Sequence, residues 1–371
     1  MLTDYWCGNM VYVAGFDIGG ANTKASLVKI EEGVLKEMRT VKKYFPIWKA
    51  GKDKLVDILQ EVTREILRGV KLEAVGVTIT AELSDAYWCK REGINHVLDC
   101  VEKIFKDTPI YVLNCDGELL KVEEARKEFL KVAAANWAAT AWMISRIIKN
   151  CIVIDVGSTT TSIISILEGK CVALGKNDLE KLMCGELVYT GSLRTNVAAI
   201  VDRIPIRGNY ARVSSELFAL SGDVHLILGN IREEDYTTET ADGRGKTRLE
   251  AMARLARVVC ADIEMLTEGE IEDMARYIYD KQVDQIAEGL RQVYSRLKTK
   301  IHDEIPVVTV GLGEKFLAKR AAERVGFRKI ISLGEFLGAD ASIIAPAVGV
   351  ALMVTDKLVG LKDIKLQKLK Y

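Results

Sequence analysis

Residues 15–25 read GFDIGGANTKA, and a short apolar run at 11–14 precedes them. Within eight residues this stretch supplies an acid, two glycines and three hydrogen-bond donors, namely Asp17, Gly19, Gly20, Asn22, Thr23 and Lys24. Glycines let the chain bend tightly, so that backbone N–H groups can approach an oxyanion. An amide, a hydroxyl and an ammonium add side-chain donors, and a carboxylate at the end of a strand can hold a magnesium ion. We therefore predict a metal–phosphate site with Asp17 as the metal ligand.

A second copy of the pattern begins 138 residues later, where DVGSTTT follows the apolar run 151–154. Asp155 is its predicted metal ligand, and its predicted phosphate-binding residues are Gly157, Ser158, Thr159 and Thr160. One such turn alone is often only a hairpin turn. Two copies, each directly after an apolar strand, favour phosphate binding by two loops that face each other across a cleft.

A third polar stretch, DGRGKT at 242–247, resembles the end of a P-loop. The first glycine that a P-loop requires would fall at Thr240, so we interpret the stretch as a polar loop before a helix. We predict that Asp242, in this loop, reaches the substrate. No GxGxxG follows either apolar strand, which disfavours a dinucleotide site.

The elements that must position these loops alternate between strands and helices. Strands are predicted at 11–16, 24–30, 34–41, 75–79, 110–113, 151–154, 306–313 and 329–333. Helices are predicted at 52–68, 117–148, 246–267, 270–300 and 339–354. The alternation predicts an α/β fold with a partly parallel sheet. We expect two lobes, 1–150 and 151–371, with an irregular insert at 176–245 and a disordered or non-native start at 1–9.

The composition narrows the class of protein. The chain has 371 residues, 49% hydrophobic and 28% charged, and 52 Lys plus Arg balance 52 Asp plus Glu. These values are typical of a globular protein with a large core and give no sign of a nucleic-acid partner. No apolar run is long enough to span a membrane, and none of the eight cysteines forms a CxxC pair. We expect reduced thiols in a cytoplasm, and the sequence leaves the oligomeric state open, with a homodimer as one option.

The paired loops resemble those of the acetate/sugar kinase–Hsp70–actin superfamily. DIGGANTK looks like its first phosphate loop, DVGSTTT like its second, and VTVGLGEKF like its glycine-bearing adenosine element, which contains Gly311 and Gly313. VGVTITAEL and APAVGVALM look like the paired hinge segments, so the C-terminal helix is expected to pack back at the hinge. The resemblance implies a two-lobed actin-like fold of duplicated ribonuclease-H-like domains with a central cleft.

Several longer stretches narrow the resemblance to one family. TAELSDAYWCKREGI, VAAANWAATA, YTGSLRTNVAAIV and SSELFALSGDVHLILG resemble an archaeal and methylotroph family related to hydantoinase/oxoprolinase proteins. Its characterised archaeal members belong to methanofuran biosynthesis and join a furanmethyl diphosphate to the phenol of γ-glutamyltyramine, with release of diphosphate. The resemblance therefore implies a transferase with these two substrates and Mg²⁺, whose loops hold a diphosphate instead of ATP.

That reaction needs an acceptor for the phenol proton. Glu82 and Asp85 follow the strand at 75–79, in a connection where cleft residues collect, and with Lys24 they are the catalytic candidates. The alternative for the two acids is a capped turn, or the orientation of a metal. Arg194 in TGSLRT could bind a phosphate or carboxylate, and a surface salt bridge is the equal alternative.

Two further acids, Glu216 and Asp223, are seven residues apart and would share one face of a helix. We predict that they hold the amine of a substrate. The three histidines, His96, His225 and His302, lie outside the loops and are interpreted as structural.

Two other classes stay open on the sequence alone. One is an ATP-dependent small-molecule kinase of the same superfamily, which the VGLGEKF stretch favours, although no sugar-kinase catalytic Asp is recognisable. The other is a nucleotide-binding regulatory or assembly protein. The many polar segments of the insert favour an enzyme, and hydrolysis of ATP without substrate would distinguish both classes from the transferase.

Overall fold

The computed structural model describes residues 10–301 and 304–361. Its strands are β1 (Val11–Gly19), β2 (Asn22–Glu31), β3 (Val34–Tyr44), β4 (Ala74–Thr80), β5 (Ile110–Leu113), β6 (Leu119–Leu120), β7 (Cys151–Val156), β8 (Thr161–Leu167), β9 (Lys170–Cys171), β10 (Leu187–Val188), β11 (Arg203–Ile206), β12 (Asn209–Arg212), β13 (Val307–Val310) and β14 (Ile330–Ser332). Its helices are α1 (Ile47–Ala50), α2 (Leu55–Leu67), α3 (Lys90–Ile104), α4 (Val122–Lys127), α5 (Phe129–Val132), α6 (Asn136–Ile147), α7 (Asp178–Met183), α8 (Ser221–Ile227), α9 (Arg248–Arg257), α10 (Glu268–Leu297), α11 (Lys319–Val325), α12 (Leu333–Leu337), α13 (Ala339–Ile343) and α14 (Ala345–Val359). Residues 1–9, the predicted disordered or non-native start, lie outside this description.

The chain divides into two compact units. The first unit consists of the described residues of Met1–Cys151, Ile164–Lys181 and Leu333–Tyr371. The second unit consists of Ile152–Ile163 and the described residues of Leu182–Ser332. The C-terminal helices α12 to α14 therefore group with the N-terminal part of the chain.

The two main sheets repeat one topology. The first has the order β3-β2-β1-β4-β5-β6, and the second has the order β10-β8-β7-β13-β14, with β9 paired to β8. The strands that precede the two predicted phosphate loops, β1 and β7, hold equivalent places in these sheets. Each pairs on one side with the next strand of the chain, β2 or β8, and on the other side with a parallel strand, β4 or β13. This duplication confirms the predicted two-lobed actin-like class, because the same strand order occurs twice along one chain.

The core of the first unit lies between its sheet and the helices α2 and α3. The predicted helix at 52–68 is confirmed as α2, preceded by one 3₁₀ turn, and its apolar face buries Leu55, Leu59, Val62 and Ile66. This spacing of three and four residues places the four side chains on one side of the helix. Together with buried residues of β1 and β4 they form one apolar cluster.

Helix α14 covers the other part of this sheet through glycine contacts. A Cβ atom at Gly15 would lie 2.0 Å from the Ala347 carbonyl oxygen, and one at Gly76 would lie 2.9 Å from that of Val350. A Cβ at Gly349 would lie 2.5 Å from the Ala139 carbonyl oxygen in α6. Backbone therefore packs on backbone here, in agreement with the resemblance of the segments at 75–83 and 345–353 to paired hinge segments.

Three predicted helices are shorter or broken. The stretch 117–148 contains β6 and three short helices instead of one long helix. The stretch 339–354 is interrupted at Ile344, which lies between the end of α13 and the start of α14. The stretch 246–267 is helical only as α9. Alanine-rich or apolar composition marked these regions as helical but carried no signal for the breaks.

Two simpler findings complete the fold. Within the described residues, no helix is both long and apolar enough to cross a membrane. The cysteines at 89, 100, 115, 151, 171, 184 and 260 are free thiols, and Cys7 lies outside the described part of the chain.

Candidate functional site

The first predicted phosphate loop joins β1 to β2 at the carboxyl end of β1. Asp17 lies opposite Lys24 of β2 and opposite Thr78 of the parallel strand β4. The Asp17 carboxylate is 3% exposed, and its Oδ2 atom lies 3.3 Å from Lys24 Nζ. Its Oδ1 atom has no hydrogen-bond partner among the described residues, nor has the Thr78 hydroxyl. A buried carboxylate oxygen without a donor is costly, so this position is suited to a ligand that supplies positive charge or a donor.

The connection from β4 to α3 lies against this loop. A Cβ atom at Gly20 would be 3.5 Å from the Ser84 side chain, and one at Gly19 would be 3.1 Å from the Thr80 hydroxyl. Residues 81–89 thus form one wall beside the two glycines. The structure brings the predicted phosphate residues 19–24 and the predicted catalytic acids Glu82 and Asp85 onto neighbouring segments of the first unit.

The two acids have different surroundings. Asp85 is exposed, whereas Glu82 is 2% exposed, and burial raises the pKa of Glu82 to about 7. Lys90 Nζ lies 3.4 Å from Glu82 Oε1 and partly opposes this shift, while Oε2 has no partner in the described residues. A carboxyl group that ionises near neutral pH can accept a proton there and release it again. Glu82 is therefore the stronger candidate for a general base.

The second predicted phosphate loop is held between two other loops of the second unit. Ser158 accepts hydrogen bonds from the backbone of Leu193 and Arg194, both at 3.0 Å. Arg194 Nη1 also donates to the Thr159 hydroxyl over 3.0 Å. Arg194 is half-buried, so the structure brings it to the predicted phosphate residues 157–160. Its phosphate-binding role stays a prediction.

Gly311 and Gly313 pack on the other side of the same loop. Gly311 has φ +91°, and a Cβ atom there would lie 2.5 Å from the Val156 carbonyl oxygen and 2.8 Å from Asp155 Oδ1. A Cβ at Gly313 would lie 2.5 Å from the Val156 side chain. Close packing against β7 and a left-handed backbone therefore account for these glycines. Contact of these two glycines with a phosphate or an adenosine group stays a prediction.

A buried polar network that the sequence did not reveal holds the loop at 190–195. Gln282 of α10 donates from Nε2 to the Thr190 hydroxyl over 2.9 Å and to the Gly191 carbonyl over 2.8 Å. The Ser221 hydroxyl donates to the same carbonyl over 2.8 Å. Nothing in the local sequence marks Gln282, because its partners lie about ninety positions away. The network keeps the backbone of 190–195 in place beside the second phosphate loop.

The proposed pairing of Glu216 with Asp223 is wrong. Helix α8 begins at Ser221, and Glu216 is exposed in a non-helical segment, so the two acids share no helix face. Asp223 is completely buried, and its Oδ1 atom lies 2.8 Å from the equally buried Arg254. Its charge is compensated inside the protein and it is not open to a substrate amine. Substrate binding by Glu216 stays a prediction, but it is no longer supported by a helix face shared with Asp223.

Asp242 belongs to the same ion-pair group. Its carboxylate lies 3.2 Å from Arg254 Nη1 and 2.9 Å from Arg257 Nη1. These bonds fix the polar loop before α9, which gives Asp242 a structural role. Contact with a substrate by Asp242 stays a prediction, and the two arginines already occupy the carboxylate.

The described histidines have internal partners. His225 is completely buried, where burial lowers its pKa to about 3, and its Nε2 lies 3.0 Å from Gln282 Oε1. His96 Nδ1 lies 2.8 Å from the Tyr87 hydroxyl. These contacts agree with the structural interpretation, and His302 lies outside the described residues.

The first loop offers one carboxylate oxygen that fits a magnesium ion. Residues 10–301 and 304–361 contain no group of three or more His, Cys, Asp or Glu side chains able to hold a metal. Mg²⁺ commonly takes one or two carboxylates and completes its shell with waters and phosphate oxygens. The partnerless Oδ1 atom of Asp17 meets that requirement.

Comparisons with known proteins agree on one family. The hydantoinase/oxoprolinase family model matches residues 73–357. The chain is 40% identical over 349 residues to the (4-{4-[2-(gamma-L-glutamylamino)ethyl]phenoxymethyl}furan-2-yl)methanamine synthase of Methanocaldococcus jannaschii, covering 94% of this chain and 99% of that protein. It is 36% identical over 212 residues to the same-named protein of Methanococcus vannielii, covering 57% of this chain and 93% of that protein.

Among solved structures, the nucleotide-free acetone carboxylase is similar with a TM-score of 0.56 and 11% identity. The match covers 93% of this chain and 70% of the carboxylase chain. At that identity the likeness concerns the fold alone.

Proposed function

The chain belongs to the hydantoinase/oxoprolinase family, and on this premise we propose that it catalyses the ether-forming step of methanofuran biosynthesis. It is a transferase of that pathway. The observation that carries the assignment is the 40% identity that extends over 99% of the synthase relative. The kinase and regulatory alternatives are not favoured by these relatives.

The proposed substrates are 5-(aminomethyl)-3-furanmethyl diphosphate and γ-glutamyltyramine. The bond between the furanmethyl carbon and the diphosphate oxygen breaks, and its electron pair leaves with the diphosphate. The phenol oxygen forms the new bond to that carbon, and the phenol proton passes to a base. The furan ring stabilises positive charge on the carbon, so the protein must mainly hold the leaving group and the phenol and exclude water.

The first loop is suited to the leaving group. Lys24 Nζ, which also contacts Asp17, and the backbone N–H groups around Gly19 and Gly20 would donate to phosphate oxygens. Asp17, through its Oδ1, which has no partner among the described residues, would hold Mg²⁺. Metal binding by Asp155 of the second unit is a separate proposal. When bound, the metal neutralises charge that develops on the diphosphate. Phosphate contacts by Asn22, Thr23 and residues 157–160 complete the proposal.

Glu82 is the proposed base. A phenol has an ordinary pKa of about 10, so full transfer of its proton to a carboxylate with pKa of about 7 costs about 4 kcal/mol. An exposed carboxylate with a pKa of about 4 would raise that cost to about 8 kcal/mol. Burial of Glu82 thus halves the free-energy cost of transferring the phenol proton. This cost is lowered further when the C–O bond forms as the proton moves.

The direct test mixes the purified protein with both proposed substrates and magnesium and follows the products by mass spectrometry. We expect the ether and diphosphate in equal amounts, without ATP. Omission of γ-glutamyltyramine controls for simple hydrolysis of the diphosphate. Product that appears only with ATP, together with ADP, would contradict the transferase and support a kinase.

A further inference from the structure

Three ionisable side chains from separate parts of the first unit meet at Lys90. Lys90 Nζ lies 3.4 Å from Glu82 Oε1 and 3.8 Å from Asp178 Oδ2. Glu82 precedes α3, Lys90 is the first residue of α3, and Asp178 is the first residue of α7. The ammonium group therefore lies between two carboxylates that are ninety-six positions apart in the sequence.

The position of Lys90 is unfavourable for its own helix. A helix N-terminus carries partial positive charge, which disfavours a cation in the first turn. The backbone of the same turn contacts Glu82 directly, since a Cβ atom at Gly93 would lie 2.6 Å from Glu82 Cα. Helix stability does not account for a lysine here, whereas the two carboxylates do.

We propose that Lys90 is a positioning residue for the base and that Asp178 balances its charge: Lys90 fixes Glu82 Oε1 so that Oε2 is the proton acceptor, and the Asp178 carboxylate offsets part of the Lys90 charge at Glu82. This inference rests on the proposed function and on Glu82 as its base. Lys90 and Asp178 touch no reacting atom and act through Glu82 alone. Because Lys90 occupies Oε1 and no described residue hydrogen-bonds to Oε2, the carboxylate has one defined oxygen for the phenol proton.

The charges around Glu82 act in opposite directions. Lys90 favours the ionised carboxylate, while Asp178 disfavours it. Burial also raises the pKa of Asp178, and both Lys90 and the buried Lys181 of α7 oppose that rise. Lys181 lies with its Nζ 3.8 Å from the centre of the Trp137 ring. Removal of Lys90 should therefore raise the pKa of Glu82, and removal of the Asp178 charge should lower it.

The test compares Lys90→Met with Asp178→Asn in pH profiles of kcat/KM. We expect the acid limb to move up by one pH unit or more in Lys90→Met, since an adjacent opposite charge shifts a carboxyl pKa by about 1 to 3 units. It should move down in Asp178→Asn. Lys90→Arg should restore the wild-type profile in part, and the exposed Lys103→Met of the same helix is the matched control. Effects on kcat should exceed those on KM.

A second readout does not depend on turnover. Carbon-13 NMR of glutamate carboxyl groups, with Glu82→Gln to assign the signal, measures the titration of Glu82 directly. Opposite shifts in the two variants would support the inference even with a different substrate. Shifts of one sign in both variants, or none, would overturn it. If the NMR shifts are opposite but no ether forms, the proposed function fails and the positioning of Glu82 stands.

Discussion

Asp17 is buried, forms an ion pair with Lys24, and has one carboxylate oxygen without a partner in the described part of the chain. Replacement by Asn keeps the shape but removes the charge that would balance magnesium and diphosphate. We expect Asp17→Asn to lower kcat/KM for ether formation about 100- to 1,000-fold, the usual effect of deleting one electrostatic contact to a developing charge. Asp155→Asn should lower kcat/KM to a similar extent. The exposed Asp202→Asn is the control, and the measurement is the rate over a magnesium titration.

The outcome separates a metal role from a structural one. A lower rate and a higher magnesium requirement, with an unchanged circular dichroism spectrum, would support the metal role. Wild-type rates at limiting magnesium in both variants would show that neither carboxylate serves the metal.

Glu82 gives a prediction about stability. Its pKa of about 7 in the folded protein lies above the ordinary value of 4.5, so its ionisation is more costly in the folded state. The stability that the neutral carboxyl contributes is present below about pH 4.5 and is lost as the pH rises to about 7. Glu82→Gln cannot ionise, and we expect it to be more stable than the wild type by about 3 kcal/mol at pH 8. Near pH 4 the difference should vanish.

Urea unfolding of both proteins at the two pH values measures this difference. The same variant should lose ether formation, so that stability rises while activity falls. Equal unfolding curves at pH 8 would mean that Glu82 is not destabilised by burial and has no raised pKa.

The sequence located some of these residues but not their partners. A repeated strand-Asp-x-Gly pattern is local, so Asp17 and Asp155 could be found by reading along the chain. Lys90 with Asp178, and Gln282 with Thr190, are contacts between distant segments that carry no local pattern. Asp223 was misassigned for the same reason, because the chain gave no sign that Arg254 would compensate its charge.

Among the elements, α14 depends most on the absence of side-chain atoms. A Cβ atom at Gly349 would lie 2.5 Å from the Ala139 carbonyl oxygen, which belongs to the backbone of α6 and cannot turn away. We expect Gly349→Ala to reduce the free energy of unfolding by about 1–3 kcal/mol, as overpacking usually does. Gly269→Ala in α10 meets no atom within 4 Å and should be neutral or stabilising by up to about 1 kcal/mol. Urea unfolding compares the two.

Both substitutions replace a helical glycine by alanine, so helix propensity alone would stabilise both. A stabilised Gly349→Ala variant would contradict the close helix packing. The glycines of β4 and α14 were predictable as close contacts because their segments resemble paired hinge segments, whereas the close contact of Gly15 in β1 was not. The breaks in the 117–148 and 339–354 stretches were not, because tertiary contacts decide where a helix stops.

At the scale of the whole molecule, the repeated strand order follows from a repeat that is visible in the sequence. Each copy begins with an apolar strand, an acid and glycine, and each becomes the middle of a sheet with the same strand sequence. The fold class could therefore be predicted without any long-range contact. The boundary between the two units does not fall at a single position in the sequence, because Ile164–Lys181 and the C-terminal helices belong to the first unit.

The two glycines of the supposed adenosine element bear on the use of ATP. Packing on β7 accounts for Gly311 and Gly313, and a contact between these glycines and adenosine stays a prediction. The loops that bind ATP phosphates in kinases offer donors to any diphosphate, and the furan substrate already carries the activated leaving group. ATP is therefore not needed as a phosphoryl donor, although its phosphates can occupy the same donors.

We accordingly expect ATP to compete with the furanmethyl diphosphate. Added ATP should raise the apparent KM for that substrate and leave kcat unchanged, because a competitor is displaced at saturating substrate. AMP, which lacks a diphosphate, is the matched control and should have a weaker effect, while inorganic diphosphate should compete as ATP does. Initial rates of ether formation at several ATP concentrations measure this. A rise in kcat with ATP, accompanied by ADP in step with product, would show that the loops transfer phosphate instead of holding a leaving group.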